Sequence, residues 1–315
     1  MDVRAPRGPI YRVIDGFTFN RHFSVELFRS ALQYETSTGD TFLATFPKSG
    51  TVWAQQISYL ILHDGLPPPS VLELHRSQPS LEMFGIEDVE KIVHPGLIRA
   101  HLSYYLVPKS LNAKYEWVCR NPKDVCVSSF YHTKSLTAYD FTDRKFEDYF
   151  EIFLQGANDF GDYFDYMFSW YAHRNDSNVL LLHYEETKAD PRSQVLRLAG
   201  FLGEEYLRRL VQEPEILHRV LGYSTIDYMK NTTTGSIKTF FDSQLANNEN
   251  LNPGIKHYLE SSKKYPRKVI PCRKGVVGDW KDHFTEDKNA RIEKKIYDKL
   301  SGTEFIFLWK RYGIL

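Results

Sequence analysis

An apolar run that leads directly into a glycine-containing loop constrains this chain most. Residues 41–53 read Thr-Phe-Leu-Ala-Thr-Phe-Pro-Lys-Ser-Gly-Thr-Val-Trp, and a helical pattern follows. A strand, loop and helix in this order aim unpaired backbone N–H groups and the positive end of the helix dipole at one point. Gly50 lets the backbone approach an anion closely, while Lys48, Ser49 and Thr51 add a charge and two hydroxyls. The junction therefore predicts a phosphate-binding loop.

The loop differs from the Walker A loop of nucleoside triphosphatases. That motif, Gly-x-x-x-x-Gly-Lys-Ser/Thr, has lysine after its second glycine, whereas Lys48 precedes Gly50 here. A general nucleoside triphosphatase is therefore disfavoured. On this stretch alone an ordinary surface loop stays open, because proline, serine and glycine are common in loops and lysine is usually solvated.

Apolar stretches rich in β-forming residues alternate with helical patterns along the chain. They are Phe42–Phe46, Leu97–Leu102, Tyr115–Cys119 and Val179–Tyr184. This alternation predicts an α/β fold with a central parallel β-sheet flanked by helices. No repeat or linker divides residues 1–315, so we expect a single domain. Between residues 232 and 267 the pattern gives way to Asn, Ser, Lys, Gly and Pro, which predicts a long mobile loop.

Two further elements are suited to bind anions. Residues 120–125 read Arg-Asn-Pro-Lys-Asp-Val after a predicted strand, with an N-cap and a first-turn proline for the next helix, and Ser128 lies near the same helix face. Residues 273–281 read Arg-Lys-Gly-Val-Val-Gly-Asp-Trp-Lys, where paired glycines favour a tight approach to a ligand. Arginine offers a planar fork of donors that suits a dianionic phosphate. Taken singly, Arg120 is better explained as a surface ion-pair partner and Ser128 as an exposed helix hydroxyl.

Together the three elements resemble the cytosolic sulfotransferase family, whose members carry Pro-Lys-Ser-Gly-Thr, Arg-Asn-x-Lys-Asp-Val and Arg-Lys-Gly-x-x-Gly-Asp-Trp-Lys in this order. The resemblance runs from about residue 41 to about residue 300. It implies transfer of the sulfuryl group from 3′-phosphoadenylyl sulfate (PAPS) to a hydroxyl or amine of a small, largely apolar acceptor such as a phenol, catecholamine, steroid or alcohol. The nucleotide product would be 3′,5′-ADP (PAP), and no metal is expected.

The same resemblance implies which residues hold the donor. The 5′-phosphosulfate is assigned to Lys48, Ser49, Gly50, Thr51 and Val52. The 3′-phosphate is assigned to Arg120, Ser128, Arg273, Lys274 and Gly275. The adenine is assigned to Trp53 and Tyr184, joined by Ser224, Thr225 and Ile226.

For catalysis the resemblance implies His101 as general base, with Lys48 and Ser128 as further catalytic residues. A base is needed because a phenol with a pKa of about 10 is mostly protonated at neutral pH. Lys48 would stabilise the charge that builds on the leaving oxygen. His101 is one of eleven histidines, and an isolated histidine is more often structural, so this assignment depends on the family.

On the acceptor side, Arg99, His101, Met83 and Phe160 are the expected contacts, with residues 1–40 as an acceptor-side segment. Arg99 stands where many members have lysine, and Val52 lacks a hydroxyl common at its position. The family's dimer motif, Lys-x-x-x-Thr-Val-x-x-x-Glu, keeps only its lysine and threonine at residues 281–290. A homodimer is thus possible, with a degenerate motif.

Charge and cysteine content restrict the partners and the compartment. Forty acidic residues balance forty basic ones, so no overall field attracts nucleic acid or anionic membranes. The three cysteines lack metal-ligand spacing, and the N-terminus has no signal-peptide pattern. We therefore expect a cytoplasmic protein. Two other functions stay open: a P-loop-type small-molecule kinase, which would need a Walker A lysine and acidic magnesium partners, and a catalytically silent nucleotide-binding module.

Overall fold

Two β-sheets organise the chain, which a computed structural model describes over residues 1–92, 94–232, 251–266 and 274–315. The central sheet has four parallel strands in the order β5-β4-β6-β7, namely β4 (Thr41–Thr45), β5 (Ile98–Ala100), β6 (Lys114–Cys119) and β7 (Val179–His183). An antiparallel sheet near the N-terminus comprises β1 (Asp2–Arg4), β2 (Ile10–Ile14) and β3 (Phe17–Phe19). The predicted α/β fold with a central parallel sheet is confirmed.

Helices pack around the central sheet. They are α1 (Val25–Ala31), α2 (Thr51–Leu62), α3 (Val71–Ser77), α4 (Leu81–Phe84), α5 (Ile86–Glu90), α6 (Pro122–Ser135), α7 (Phe146–Gln155), α8 (Tyr163–Tyr171), α9 (Tyr184–Ala189), α10 (Pro191–Leu202), α11 (Glu204–Gln212), α12 (Pro214–Tyr223), α13 (residues 226–232), α14 (Pro253–Lys264), α15 (Glu286–Leu300) and α16 (Glu304–Arg311). Short 3-10 helices occupy Thr137–Tyr139 and Asp279–Asp282.

Both faces of the central sheet are buried. In β7, Val179 and Leu181 join one apolar cluster, whereas Leu180 and Leu182 join another. Successive side chains of a strand point to opposite faces, so the two clusters lie on opposite sides of the sheet. Burial on both faces explains why the parallel strands read as continuous apolar runs in the sequence.

The start of α6 follows from its first residues. The side chain of Asn121 accepts a hydrogen bond from the backbone N–H of Asp124 at 2.9 Å, and Pro122 occupies the first helical turn, as predicted. Because β6 ends at Cys119, Arg120 is held between a buried strand and a capped helix. The carboxyl end of the parallel sheet therefore carries the predicted anion-binding residues.

One segment differs from its sequence-based description. Residues 253–264 form α14, although the composition of 232–267 predicts an irregular loop. Pro253 begins the helix, and Ile255 and Leu259, spaced by four residues, bury one face of it. Residues 233–250 lie outside the described residues. Within the described part of the chain, no helix combines the length and apolar content needed to cross a membrane.

Candidate active site

The phosphate-binding loop between β4 and α2 depends on unusual backbone conformations. Gly50 caps α2 with φ 111°, and Lys48 also has a positive φ of 73°. A Cβ atom at Gly50 would lie 2.8 Å from Cδ2 of Tyr184, so any side chain there would collide with that ring. The buried Ser49 hydroxyl has no hydrogen-bond partner within the described residues. The loop thus presents backbone N–H groups and the ammonium of Lys48 at the start of α2.

All three sequence motifs meet at one cleft. It opens to solvent and is lined by Lys48, Gly50, Thr51, Val52, Trp53, Arg120, Ser128, Tyr184, Lys188, Ile226, Met229, Lys274, Gly275 and Val276. We call it the donor cleft. Arg273 lies outside the described residues. Lys188 and Met229 are cleft residues that the motifs did not reveal.

Arg120 connects the three motifs. Its Nη2 donates to the carbonyl oxygen of Val276 at 2.9 Å and its Nη1 to that of Lys48 at 3.4 Å. The guanidinium lies 4.3 Å from the centroid of the Tyr184 ring and 3.5 Å from the carboxylate of Asp124. Arg120 is 8% exposed, and its Nε has no partner among the described residues. A largely desolvated arginine of this kind can bind an anion strongly.

Asp124 explains why the second and third motifs stay together. Its carboxylate is buried and accepts the backbone N–H groups of Gly278 at 2.9 Å and Trp280 at 3.1 Å. The segment that carries Lys274 and Gly275 is thereby fixed beside α6. This contact joins residues about 150 positions apart in the chain.

Of the adenine contacts proposed from the sequence, Trp53, Tyr184 and Ile226 line the donor cleft, whereas Ser224 and Thr225 are not among its lining residues. Trp53 and Tyr184 meet edge to face with centroids 5.2 Å apart, and the indole N–H of Trp53 donates to the carbonyl oxygen of Ser224 at 2.9 Å. Ile226 packs against Gly275, where a Cβ atom would come within 2.6 Å of its Cδ1. Thr225 is exposed, and its hydroxyl donates to the carbonyl oxygen of Gly222. The ammonium of Lys188 lies 5.1 Å from the Trp53 ring.

His101 is oriented by Thr45 at the end of β4. Nδ1 lies 2.8 Å from the carbonyl oxygen of Thr45 and 3.0 Å from its hydroxyl, which in turn lies 2.7 Å from the hydroxyl of Thr51. A carbonyl oxygen can only accept, so Nδ1 carries the proton and Nε2 carries the lone pair. Burial, together with the charges of Arg99 and Lys48, lowers the pKa of His101 to about 4. The imidazole is therefore neutral at pH 7 and able to accept a proton.

A buried carboxylate fixes the backbone of His101. Oε1 of Glu82 accepts the His101 backbone N–H at 3.2 Å and the hydroxyl of Ser80 at 3.2 Å. Burial raises the pKa of Glu82 to about 7, and these hydrogen bonds act in the opposite direction. Glu82 was not identified from the sequence, because no motif marks it.

The expected acceptor contacts are only partly brought together. The ring of Phe160 meets the His101 ring edge to face at 5.3 Å, and Phe19 and Phe23 pack on Phe160 at 5.1 and 5.5 Å. Met83 is partly buried against the same apolar cluster. Arg99 instead donates to the carbonyl oxygen of Gln78 at 2.8 Å and contacts Nδ1 of His75 at 3.3 Å. Burial lowers its pKa to about 10.

Comparison with known families agrees with this geometry. A family model described as the sulfotransferase domain matches residues 38–304. The chain belongs to the sulfotransferase family. Its relatives include an amine sulfotransferase from Oryctolagus cuniculus, 31% identical over 291 residues that cover 88% of this chain and 85% of the relative. Sulfotransferase 1B1 from Mus musculus is 29% identical, with coverage of 87% of each chain. The prediction of a sulfotransferase enzyme is confirmed.

Solved structures share the fold of this sulfotransferase. Mouse sulfotransferase SULT7A1, complexed with PAP, has a TM-score of 0.69 at 24% identity, covering 96% of this chain and 98% of that one. Retinol dehydratase, in a complex with retinol and PAP, has a TM-score of 0.64 at 22% identity, covering 94% and 91%. Within the described part of this sulfotransferase, no group of three or more His, Cys, Asp and Glu side chains could hold a metal ion.

Proposed function

We propose that this sulfotransferase uses PAPS as its sulfuryl donor and a small molecule with a hydroxyl or amine as its acceptor. The observation that carries the proposal is the meeting of three separate cationic motifs at one cleft, with Lys48, Arg120 and Lys274 among its lining residues. A nucleotide with anionic groups at two ends requires cations at more than one point of the cleft. A mononucleotide with a single phosphate would not.

The two ends of the donor would be bound by different parts of the cleft. Residues 48–52 would hold the 5′-phosphosulfate, using the N–H groups at the start of α2. Arg120, Ser128, Lys274 and Gly275 would hold the 3′-phosphate, together with Arg273. Trp53 and Tyr184 would contact the adenine, which commonly stacks on aromatic side chains. The bound donor supplies an activated sulfuryl group, and the protein supplies orientation and charge.

His101 would remove the proton from the acceptor. Its Nδ1–H is bound to the carbonyl oxygen of Thr45, so Nε2 is the basic atom. Attack in line with the leaving nucleotide oxygen places negative charge on that oxygen, and Lys48 would stabilise it. A contribution of about 10² to 10⁴ in rate is typical of a general base. Ser128 would contribute by holding the 3′-phosphate of the donor in place.

The acceptor would lie among aromatic side chains beside His101. Phe160, Phe19 and Phe23 pack together there, so part of the acceptor's surface would be apolar. One relative is named an amine sulfotransferase, and two solved structures contain retinol or androsterone. These names support a small organic acceptor.

A cytoplasmic location and a homodimer remain predictions. Within the degenerate dimer motif, Thr285 caps α15.

A transfer assay tests the proposed function. The full chain is incubated with PAPS and a panel of phenols, catecholamines, steroids and alcohols, and both sulfated product and 3′,5′-ADP are quantified. We expect equal amounts of both products with at least one acceptor, without added magnesium. ATP with magnesium serves as the control for a kinase. Phosphorylated products with ATP, and no sulfated product with PAPS, would contradict the proposal.

A further inference from the structure

A strained turn lies beside the candidate acceptor position. Residues 156–161 lie between α7 and α8 and contact β3 at Thr18. The backbone N–H of Phe160 donates to the carbonyl oxygen of Thr18 at 2.8 Å, and the Thr18 hydroxyl donates to the carbonyl oxygen of Asn158 at 2.7 Å. Phe160 has φ 63°, in the left-handed region that aromatic residues rarely adopt. Strained backbone of this kind is concentrated at binding and active sites. The turn carries the Phe160 ring to His101.

The residue before Phe160 is a buried carboxylate. Asp159 is 8% exposed and accepts a hydrogen bond from the Tyr139 hydroxyl, which also lies 3.4 Å from Nδ2 of Asn20. Burial raises the pKa of Asp159 to about 6, while the Tyr139 hydrogen bond and the charge of Lys48 act in the opposite direction. Lys48 also lowers the pKa of His101, so Asp159 and the base lie in the field of the same ammonium.

Asn158, next to this carboxylate, has unused hydrogen-bonding capacity. It is 2% exposed, and neither Oδ1 nor Nδ2 of its side chain has a partner within the described residues. Buried amides are nearly always paired with protein, water or ligand. An acceptor oxygen and a donor group therefore await a polar partner in the same turn as Asp159 and Phe160, whose ring contacts His101.

We propose that Asn158 and Asp159 form a recognition subsite for a protonated amine carried by the acceptor, separate from the hydroxyl that reacts. This inference rests on the proposed function. An ammonium group provides three donors and one positive charge, which match the Asp159 carboxylate and Oδ1 of Asn158. A neutral acceptor of the same shape would leave the Asn158 amide without a partner, and it would add nothing to the hydrogen bond that Asp159 accepts from Tyr139. Selection for the amine should therefore be strong.

Three matched phenols test this subsite: tyramine, 4-ethylphenol and 4-(2-hydroxyethyl)phenol. They share a reacting hydroxyl and differ in whether the far end is an ammonium, a methyl or a hydroxyl. For wild type we expect kcat/KM for tyramine to exceed that for 4-ethylphenol by about 10- to 100-fold. Asp159→Asn should lower this ratio at least about 10-fold, and Asn158→Ala should lower it several-fold while leaving the Asp159–Tyr139 contact available.

The ratio of kcat/KM values for two substrates is insensitive to losses in folding or donor binding, because such losses lower both values equally. The exposed Asp143 provides the control, because Asp143→Asn changes net charge equally and should leave the ratio unchanged. Stabilisation of each variant by 3′,5′-ADP shows that it is folded.

The outcomes separate the two proposals. Two results would overturn the amine subsite but not sulfuryl transfer. One is that wild type has equal kcat/KM values for tyramine and 4-ethylphenol; the other is that the ratio of these values is the same in wild type and both variants. A preference for 4-(2-hydroxyethyl)phenol over tyramine would identify a hydroxyl as the partner and overturn the assignment of an amine. Failure of wild type to sulfate any of the three phenols, or any acceptor of the wider panel, would count against the proposed function itself.

Discussion

The donor cleft and the proposed acceptor side of the site are built in different ways. The donor cleft is formed by continuous motifs in which backbone N–H groups and long cationic side chains converge on one space. The acceptor side is assembled from single residues of distant segments: His101 after β5, Phe160 before α8, and Phe19 in β3. A motif can specify a charge pattern for one fixed ligand. Single residues from many segments can vary without disturbing that pattern.

The two regions also differ in how they use charge. Arginine and lysine side chains in the donor cleft are cations that complement an anionic ligand. On the acceptor side, burial changes the ionisation of the functional groups: the pKa of His101 falls to about 4, and those of Asp159 and Glu82 rise to about 6 and 7. Perturbed values are typical of groups that exchange protons or select ligands. Donor binding and catalysis should therefore respond to different substitutions.

Replacing the base gives the largest expected effect. His101→Ala should lower kcat by about 10² to 10⁴, because the acceptor proton is no longer removed. The affinity for 3′,5′-ADP should change less than about threefold, because His101 does not line the donor cleft. Steady-state kinetics and calorimetry measure the two quantities. His218→Ala, at an exposed histidine of α12, is the control, and full activity in His101→Ala would remove the base assignment.

A substitution in the donor cleft should have the converse effect. Arg120→Met should weaken the binding of 3′,5′-ADP by about 10- to 100-fold, because a desolvated charge-assisted contact is lost. The binding of 5′-AMP should weaken much less. Arg120 also holds the carbonyl oxygens of Lys48 and Val276, so the ratio of the two affinities is the informative quantity. Arg208→Met, at an exposed arginine, controls for loss of charge. Parallel losses for both nucleotides would show that Arg120 is only structural.

The buried Glu82 carboxyl should make the free energy of unfolding depend on pH. Between pH 4.5 and about 7 the unfolded Glu82 ionises while the folded, buried carboxyl keeps its proton, so this group's contribution to stability falls as pH rises. Glu82→Gln removes that term. Relative to wild type, the free energy of unfolding of the variant should rise by about 3 kcal/mol from pH 4 to pH 8. Urea unfolding at both pH values measures it.

The control for this experiment is Glu87→Gln, at an exposed glutamate of α5. It should change stability by less than about 0.5 kcal/mol at either pH. A Glu82→Gln variant whose stability difference from wild type is the same at pH 4 and pH 8 would mean that Glu82 is not a buried, proton-binding group.

The smallest expected effect is a gain in the donor cleft. Val52 lines it without a hydroxyl, so Val52→Thr would add one donor while keeping the branched shape. We expect two- to fivefold tighter binding of 3′,5′-ADP, in line with about 0.5 to 1 kcal/mol for one hydrogen bond. Val52→Ala removes volume without adding a donor and should give no gain. Unchanged affinity in Val52→Thr would place position 52 beyond reach of the nucleotide's phosphates.

The sequence predicted the donor cleft better than the acceptor side, for a physical reason. Gly50 and Asn121 act on their nearest neighbours, so their motifs encode local geometry directly. The contact of Asp124 with Gly278 depends on the path of the whole chain, and no local pattern reveals it. Thr45 and Glu82 orient His101 through a carbonyl oxygen and a buried carboxylate that have no signature in sequence.

The missed helix α14 has a different cause. Its Asn, Ser, Lys and Gly content is typical of loops, and only the spacing of Ile255 and Leu259 indicated a helix with one buried face. Asn158 and Asp159 were also missed, because two polar residues after a helix are normally solvated. Their burial is a tertiary property.

We propose that the donor cleft binds both ends of one nucleotide. Calorimetric titration of the wild-type protein with 3′,5′-ADP and with 5′-AMP examines this binding mode, because the two ligands differ only in the 3′-phosphate. We expect 3′,5′-ADP to bind at least about 10-fold more tightly than 5′-AMP. Equal dissociation constants would contradict it, since the cations around Arg120 would then bind no second phosphate.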